Sequence, residues 1–225
     1  MAFALAVPVG GYLLPGLAAA LPALRAPLGV EDRTAGGGYA LTFDDGPHAQ
    51  GTPAVLELLA AAGVRATFFL VGEQVRRNPA LGGEIVASGH LVGLHCDRHR
   101  SLLRLGPWQV RADIDRAQAT IEDLTGCSPT IYRPPYGALN ASALRLARQR
   151  GWRTLLWSRW GRDWEARATP ASIAARVTGD ARDGDVLLLH DADDYSAAGS
   201  WRRTAAALPR VLEMLAERGL QDTAP

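Results

Sequence analysis

The pattern that most constrains the fold is an alternation, from Gly38 onward, of short apolar runs with longer segments of helical periodicity. Alternation of this kind predicts a parallel sheet covered by helices. The expected strands are Tyr39–Phe43, Ala66–Val71, His90–His95, Thr130–Tyr132, Thr154–Trp157 and Val186–His190. The expected helices lie near Pro53–Ala62, Pro79–Ser88, Pro107–Thr125, Asn140–Arg150, Pro170–Asp180 and Arg202–Arg218.

Polar residues stand where five of the apolar runs end or just beyond them. Parallel strands bring their carboxyl ends to one face, so these residues should meet there. An open doubly wound sheet would more often carry a glycine-rich phosphate loop, and no G-x-G-x-x-G is present. We therefore predict an α/β fold, a TIM-like (β/α) barrel of parallel strands with its active site at the C-terminal strand ends. The residues concerned are Asp44, Asp45, His95, Arg133, Asp163 and His190.

Composition removes several functions. The 225 residues suit one main domain, and a net charge of +1 without a basic tract argues against a nucleic-acid partner. All 24 basic residues are arginine, which excludes Schiff-base lysine chemistry and a phosphate-loop lysine. Cys96 and Cys127 lack zinc-type spacing, and a disulfide between them is left open. His48 and His90 fit structural positions, one in a turn and the other entering a strand.

Residues 1–37 form an apolar N-terminal segment that precedes the expected catalytic domain, residues 38–225. Residues 2–24 carry no charge and are long enough to span or associate with a membrane. Three prolines interrupt them, and no positive region precedes them, which argues against a simple signal or anchor. The alternative is an extension packed on the catalytic domain. Secretion or membrane anchoring is slightly favoured, and a cytoplasmic location stays open.

The histidines of "HCDRH" suggest a metal site together with the paired aspartates. His95 and His99 are four residues apart, so on a helical turn both imidazoles face the same way. With Asp45 they would form a two-histidine, one-carboxylate site with open positions. Asp44 would then be the general base for a water activated by the ion. Without a metal, the aspartates would only form a solvated turn.

Further polar residues could complete a hydrolytic site. Arg133 follows a strand and would keep Asp44 ionised and oriented. His190 is the candidate general acid, with Asp163 as its carboxylate partner. The backbone N–H of Tyr136, in an expected extended loop, is a possible oxyanion donor. No G-x-S-x-G elbow occurs, which favours metal-assisted hydrolysis over a serine nucleophile.

In this order, the clusters resemble the polysaccharide deacetylase family, the NodB-homology carbohydrate esterases of family 4. The resemblance covers residues 40–220 and implies a distorted TIM-like (β/α) barrel of seven strands. "TFDDGP" resembles the first motif of the family and implies Asp44 as base and Asp45 as metal ligand. "HCDRH" resembles the motif H-[ST]-x-x-H and implies that His95 and His99 are the other two ligands.

The third and fourth motifs imply residues that support the base and the acid. "RPPYG" implies that Arg133 positions the base and that Tyr136 supplies a backbone N–H to the oxyanion and contacts substrate. "RDW" implies that Asp163 orients the acid and that Trp164 shapes the acetyl pocket. Trp160, Tyr195 and Trp201 are further candidates for stacking on sugar rings, although core packing is the alternative for tryptophans.

The fifth motif, "LLH", implies Leu188 beside the acetyl group and His190 as acid. Two positions depart from the family pattern. Cys96 replaces a serine or threonine, which should weaken a supporting hydrogen bond, and Trp160 replaces an aspartate that many members carry near Asp163. Neither change removes a catalytic group.

The resemblance implies a metal-dependent hydrolase that removes N-acetyl or O-acetyl groups from an amino sugar or polysaccharide. Chitin oligomers, peptidoglycan of the cell wall and acetylxylan are the candidate substrates. Zn²⁺ is the expected metal, and Co²⁺, Ni²⁺ or Mn²⁺ would also suit the ligands. Two alternatives remain: a metal-dependent amidohydrolase of a small cyclic amide and a non-catalytic carbohydrate-binding barrel.

Overall fold

A computed structural model describes residues 9–225 of the chain. It contains eight strands, all paired in parallel, and eight α-helices. The strands are β1 Val30–Glu31, β2 Ala40–Asp44, β3 Thr67–Val71, β4 Leu91–Cys96, β5 Ile131–Tyr132, β6 Arg153–Leu155, β7 Arg159–Trp160 and β8 Val186–His190. The helices are α1 Val9–Leu13, α2 Gly51–Ala62, α3 Gly72–Arg77, α4 Pro79–Ala87, α5 Pro107–Thr125, α6 Ala141–Gln149, α7 Pro170–Thr178 and α8 Ser200–Glu217.

The strands form one curled sheet in the order β1-β6-β5-β4-β3-β2-β8-β7. Within the described chain, β1 and β7 pair with only one strand each, so the barrel is open between them. The α/β, TIM-like prediction is confirmed, with eight strands instead of seven. The sequence analysis missed β1 and β7 because each has two residues, one of them charged, so neither forms an apolar run.

Local sequence explains where several helices begin and end. α5 begins at Pro107, where proline costs no hydrogen bond, and it ends before Gly126, whose φ of 68° suits a left-handed C-cap. Asn140 caps α6 by accepting from the Ala143 N–H at 3.0 Å. Predicted and observed helix bounds agree within about two residues, the usual uncertainty of helix ends. Two short helices were missed: α1, five residues in the N-terminal segment, and α3, six residues directly after β3.

The central strands are buried on both faces, as expected when helices cover a parallel sheet. Every residue of β2, β3 and β8 is buried. Phe43 and Phe68 stack at 5.2 Å between ring centroids, joining β2 to β3 within the core. This packing fixes the strand ends from which the polar residues project.

The described part of the N-terminal segment packs along the sheet and the rim of its C-terminal end. After α1 it forms three short 3-10 turns before β1, which pairs with β6. Arg25 donates to the carbonyls of Ala18 and Ala19 at 2.9 and 3.2 Å and also pairs with Asp32. Of the predicted apolar stretch 2–24, residues 2–8 lie outside the described part. None of the helices in residues 9–225 has both the length and the apolar character needed to cross a membrane.

Two glycines test how closely the backbone is packed. A Cβ on Gly51 would lie 2.0 Å from the Asp191 carbonyl oxygen, whereas a Cβ on Gly83 would meet nothing within 4 Å. Gly51→Ala should therefore lower the free energy of unfolding by about 3 kcal/mol. Gly83→Ala, inside α4, should raise it by about 0.5–1 kcal/mol. Urea unfolding of both variants checks this, and equal stabilities would contradict the close approach at Gly51.

Candidate active site

The two adjacent aspartates end β2 and begin the loop after it. Asp44 is the last residue of the strand, and its register partner on β8 is His190. Asp45 follows with a φ of 79°, a left-handed conformation that is uncommon for a residue with a side chain. Both side chains are buried. Strained backbone of this kind concentrates at functional sites, where the surrounding structure maintains it.

Arg133 forms a buried ion pair with one of these carboxylates, that of Asp44. Its guanidinium is fully buried and donates to Asp44 Oδ1 at 2.7 Å and to Thr42 Oγ1 at 2.8 Å. The remaining donors reach the carbonyls of Leu155 and Leu156 at 3.0 and 2.9 Å. Each of the three guanidinium nitrogens therefore has an acceptor, and the side chain holds one oxygen of Asp44 in a fixed position.

Asp45 meets both histidines of the "HCDRH" stretch. Its Oδ1 lies 3.5 Å from His95 Nε2 and 3.3 Å from His99 Nε2. The register between β3 and β4 passes from Leu70–Leu94 to Val71–Cys96, so His95 is the extra residue of a β-bulge. Bulges near active sites redirect a side chain, here into the cluster. The structure thus brings together the three predicted metal ligands.

The three residues have the properties that a divalent metal requires. Asp45 Oδ1 and His99 Nδ1 are buried without a hydrogen-bond partner anywhere in residues 9–225. His95 Nδ1 donates to the Arg133 carbonyl at 2.7 Å, which leaves its Nε2 lone pair directed at Asp45. One carboxylate oxygen and two imidazole nitrogens, all within 4.8 Å of one another, form a donor set that fits a divalent cation.

The charge states of these groups also suit metal binding. Burial favours the neutral carboxyl of Asp45, but the surrounding histidines outweigh it and lower its pKa to about 2. Burial lowers the pKa of His99 to about 4, against the opposing charge of Asp45. At neutral pH the aspartate is therefore an anion and His99 a neutral imidazole, the forms that bind metals.

His190 approaches the cluster from the end of β8. Its Nδ1 donates to Asp163 Oδ1 at 3.0 Å, and its Nε2 lies 4.0 Å from Asp45 Oδ2. Asp163 is itself held by the Thr204 hydroxyl and the His190 N–H, both at 2.7 Å. Burial alone would lower the pKa of His190, but the Asp163 carboxylate outweighs it and raises the pKa to about 10. His190 is thus a cation whose second nitrogen faces the cluster.

The two aspartates, the two histidines of "HCDRH" and His190 line a cleft of about 250 Å³ whose walls are largely aromatic. Trp164 contacts His190 edge to face, with 5.4 Å between ring centroids, and Leu188 forms part of the wall. Trp160 lies at the mouth, 44% exposed, with its ring perpendicular to that of Trp164. Trp201 does not line this cleft and instead packs beside His48.

A larger groove of about 540 Å³ lies between α2 and α8 and contains none of the candidate residues.

Tyr136 lies in the cleft wall, but its backbone differs from the expectation. The loop was predicted to be extended, whereas Tyr136 has φ 61° and ψ 10° within a 3-10 turn from Pro135 to Gly137. The sequence Pro-Pro-Tyr-Gly allows this tight turn, but it is equally compatible with an extended loop, so the sequence alone does not distinguish the two. The Tyr136 ring is 59% exposed and contacts His99 edge to face at 4.5 Å.

One residue that supports the site, Asp113, escaped the sequence analysis. Asp113 of α5 accepts from the N–H groups of Asp97 and Arg98 at 2.8 and 3.3 Å and so holds the loop between the two histidines. Its only signal in the sequence is an acidic residue on the apolar face of a helix. His48, assigned to a turn, accepts from the Gly51 N–H at 2.9 Å and lies 3.3 Å from Asp193.

Comparisons with known proteins agree with this geometry. A family model described as polysaccharide deacetylase matches residues 31–155. A peptidoglycan-N-acetylglucosamine deacetylase of Bacillus cereus is 35% identical over 182 residues, covering 80% of this chain and 82% of that protein. A chitooligosaccharide deacetylase of Azorhizobium caulinodans is 34% identical over 186 residues, covering 80% and 88%. The structure of a family 4 carbohydrate esterase from Streptomyces lividans in complex with acetate has a TM-score of 0.75 and 34% identity, covering 84% and 94%.

The fold and these similarities define a carbohydrate deacetylase, a hydrolase with a TIM-like barrel. The chain belongs to the polysaccharide deacetylase family. The family predicted from the five motifs is therefore confirmed, together with the reaction class. The role of each site residue and the identity of the metal remain predictions.

The Asp163–His190 pair predicts a pH dependence in metal-free protein. A folded-state pKa raised from 6.5 to about 10 stabilises the fold fully below pH 6.5, and this stabilisation is lost as the pH rises through 10. Asp163→Asn should lower the pKa of His190. The variant should have a lower free energy of unfolding than the parent protein below pH 6.5, and this difference should shrink as the pH rises from 6.5 to 10. NMR titration of the imidazoles measures the pKa, with buried His90 as the unchanged control. An unaltered pKa of His190 would contradict the pairing.

Proposed function

We propose that the protein removes N-acetyl groups from N-acetylglucosamine residues of a cell-wall glycan, with peptidoglycan as the first candidate. The observation that carries the proposal is one buried cluster, Asp45, His95 and His99, with an arginine-held carboxylate and a cationic imidazole beside it. The names of the relatives support the substrate. Chitin oligomers and acetylxylan are the other substrates to test.

We propose Zn²⁺ as the metal held by Asp45, His95 and His99, and Co²⁺, Ni²⁺ and Mn²⁺ are compatible with the same donors. A bound divalent ion would polarise the acetyl carbonyl and lower the pKa of a nearby water. Support comes from the buried, unpartnered Asp45 Oδ1 and from the two imidazole nitrogens that lie within 3.5 Å of it.

Asp44 is the proposed general base. Arg133 occupies its Oδ1, while its Oδ2 lies on the cluster side, 4.0 Å from His95 Nε2. The guanidinium favours the ionised carboxylate and fixes its direction. Oδ2 would accept the proton from the water that attacks the acetyl carbon.

His190 is the proposed general acid. Asp163 holds Nδ1, so the proton on Nε2 is the one available to the substrate. As the carbon–nitrogen bond breaks, Nε2 would donate this proton to the departing amine of the sugar. The products are then acetate and a free amino sugar.

The cleft wall would bind the acetyl group. Leu188 and Trp164 offer the apolar surface that a methyl group needs, and both adjoin His190. We propose that the Tyr136 N–H donates to the developing oxyanion, a role supported by the position of this residue in the cleft wall.

We further propose an extracytoplasmic location, since a cell-wall substrate lies outside the membrane. Residues 38–225 would form the catalytic domain, because they contain every proposed site residue. Residues 1–37 would be an extension whose described part packs on that domain, and membrane association through residues 2–24 is part of the same proposal.

Acetate release from N-acetylglucosamine oligomers and from peptidoglycan tests the activity. Metal-stripped protein should release none, and added zinc should restore release because the cluster then becomes complete. Tight zinc binding without release from these substrates or acetylxylan would favour the small cyclic amide. No release and no zinc binding would favour the non-catalytic barrel.

Two variants separate the base from the metal ligand. Asp44→Asn should keep one bound zinc yet lose at least about 100-fold in kcat, because its side chain cannot accept the proton. Asp45→Ala should lose both zinc and activity, because it removes the carboxylate oxygen that lies near both histidines. Metal analysis after dialysis is the measurement. A normal zinc content in Asp45→Ala would refute the ligand assignment.

A further inference from the structure

The two histidines of the cluster are held in different ways. His95 donates through Nδ1 to the Arg133 carbonyl at 2.7 Å. His99 Nδ1 is buried, but nothing in residues 9–225 forms a hydrogen bond with it. A metal-binding histidine almost always has a hydrogen-bond partner on its second nitrogen, which sets the direction of the ring. Some other contact must therefore orient His99.

That contact is aromatic. Tyr195 stacks on His99 with 4.5 Å between ring centroids and 19° between the planes. Tyr136 meets the same imidazole edge to face, also at 4.5 Å. The two tyrosines confine the imidazole on two sides, so rotation about its side-chain bonds would require one of them to move.

Tyr195 is itself anchored at its far end. Its hydroxyl donates to Glu73 Oε1 at 2.6 Å and accepts from Gln74 Nε2 at 3.1 Å. Both partners belong to the short helix α3. The Glu73 N–H also donates to the Asp97 carbonyl at 3.0 Å, so the same helix holds the loop that carries His99.

The other contacts of this loop do not replace Tyr195. Asp113 binds backbone N–H groups, and Arg76 and Arg116 bind the Asp97 carboxylate at 2.7 and 3.0 Å. These contacts fix the path of the backbone. They leave the direction of the His99 imidazole to the aromatic rings.

We propose that Tyr195, anchored by Glu73, is a positioning residue that orients His99 for metal binding. The inference rests on the proposed function, because it uses the assignment of His99 as a ligand. It adds a residue whose ring replaces the missing hydrogen-bond partner of the imidazole. Such a residue acts through His99 and needs no contact with the reacting atoms.

The test compares the zinc dissociation constants of three variants with that of the parent protein, by competition with a chromophoric chelator. Tyr195→Phe keeps the stacked ring but loses the Glu73 anchor, and it should bind zinc about threefold more weakly. Tyr195→Leu loses the ring as well and should bind about tenfold more weakly. Tyr12→Phe is the matched control, since Tyr12 donates to the Leu105 carbonyl at 2.8 Å outside the cleft, and it should bind like the parent.

Cobalt absorption spectra provide a readout that a purely structural role would not change. Both Tyr195 variants should show altered bands at full cobalt occupancy, because the direction of one ligand changes. Thermal melts show whether Tyr195→Leu is folded, and Tyr195→Phe carries the test if it is not. Parent-like affinities and spectra in both variants would overturn the proposal. Weaker binding in Tyr195→Leu alone would overturn the role of Glu73.

The outcome is separable from that of the proposed function. Zinc affinity that depends on Tyr195 in a protein that releases no acetate would support the positioning role and reject the activity. Acetate release together with a zinc affinity that is unchanged in the Tyr195 variants would support the activity and reject the positioning role. Failure of the parent protein to bind zinc would overturn both.

Discussion

The site depends on the buried ion pair between Arg133 and Asp44. A charged guanidinium with no exposure to water needs hydrogen-bond acceptors, and each nitrogen of Arg133 has at least one, on β2 or at the end of β6. The guanidinium carbon Cζ of Arg133 lies 3.9 Å from the ring centroid of Phe69, which covers one face of the guanidinium. The Arg133 carbonyl also accepts from His95. One residue thereby fixes both the candidate base and one candidate ligand.

The sequence predicted this face of the sheet because each essential group lies next to a strand end. Asp44 ends β2 and Asp45 follows it, His95 lies on β4, and His190 ends β8. Parallel pairing alone then brings them together, without any knowledge of loops. The strands themselves were visible because buried parallel strands read as short continuous apolar runs.

Residues that support the site through tertiary contacts could not be predicted in the same way. Asp113 and Tyr195 are separated in the sequence from the loop they support, and neither belongs to a local pattern. Glu73 lies on a helix of six residues, too short for helical periodicity to appear. The left-handed backbone of Tyr136 likewise depends on the packing of its turn. Local patterns thus predict which groups carry the chemistry, whereas packing determines what holds them.

The last residues of the chain lie at the opposite end of the sheet from the cleft. The Tyr39 N–H, just before β2, donates to the Gln221 carbonyl at 2.8 Å, and the Thr223 N–H donates to the Tyr39 carbonyl at 2.8 Å. Arg153, the first residue of β6, donates to the Pro225 carbonyl at 2.6 Å. A fluorescent label attached to Pro225 would therefore lie away from the mouth of the cleft. The same label near the 3-10 turns before β1 would lie beside that mouth, because Arg25 there donates to the carbonyl of Trp157, a residue of the cleft wall.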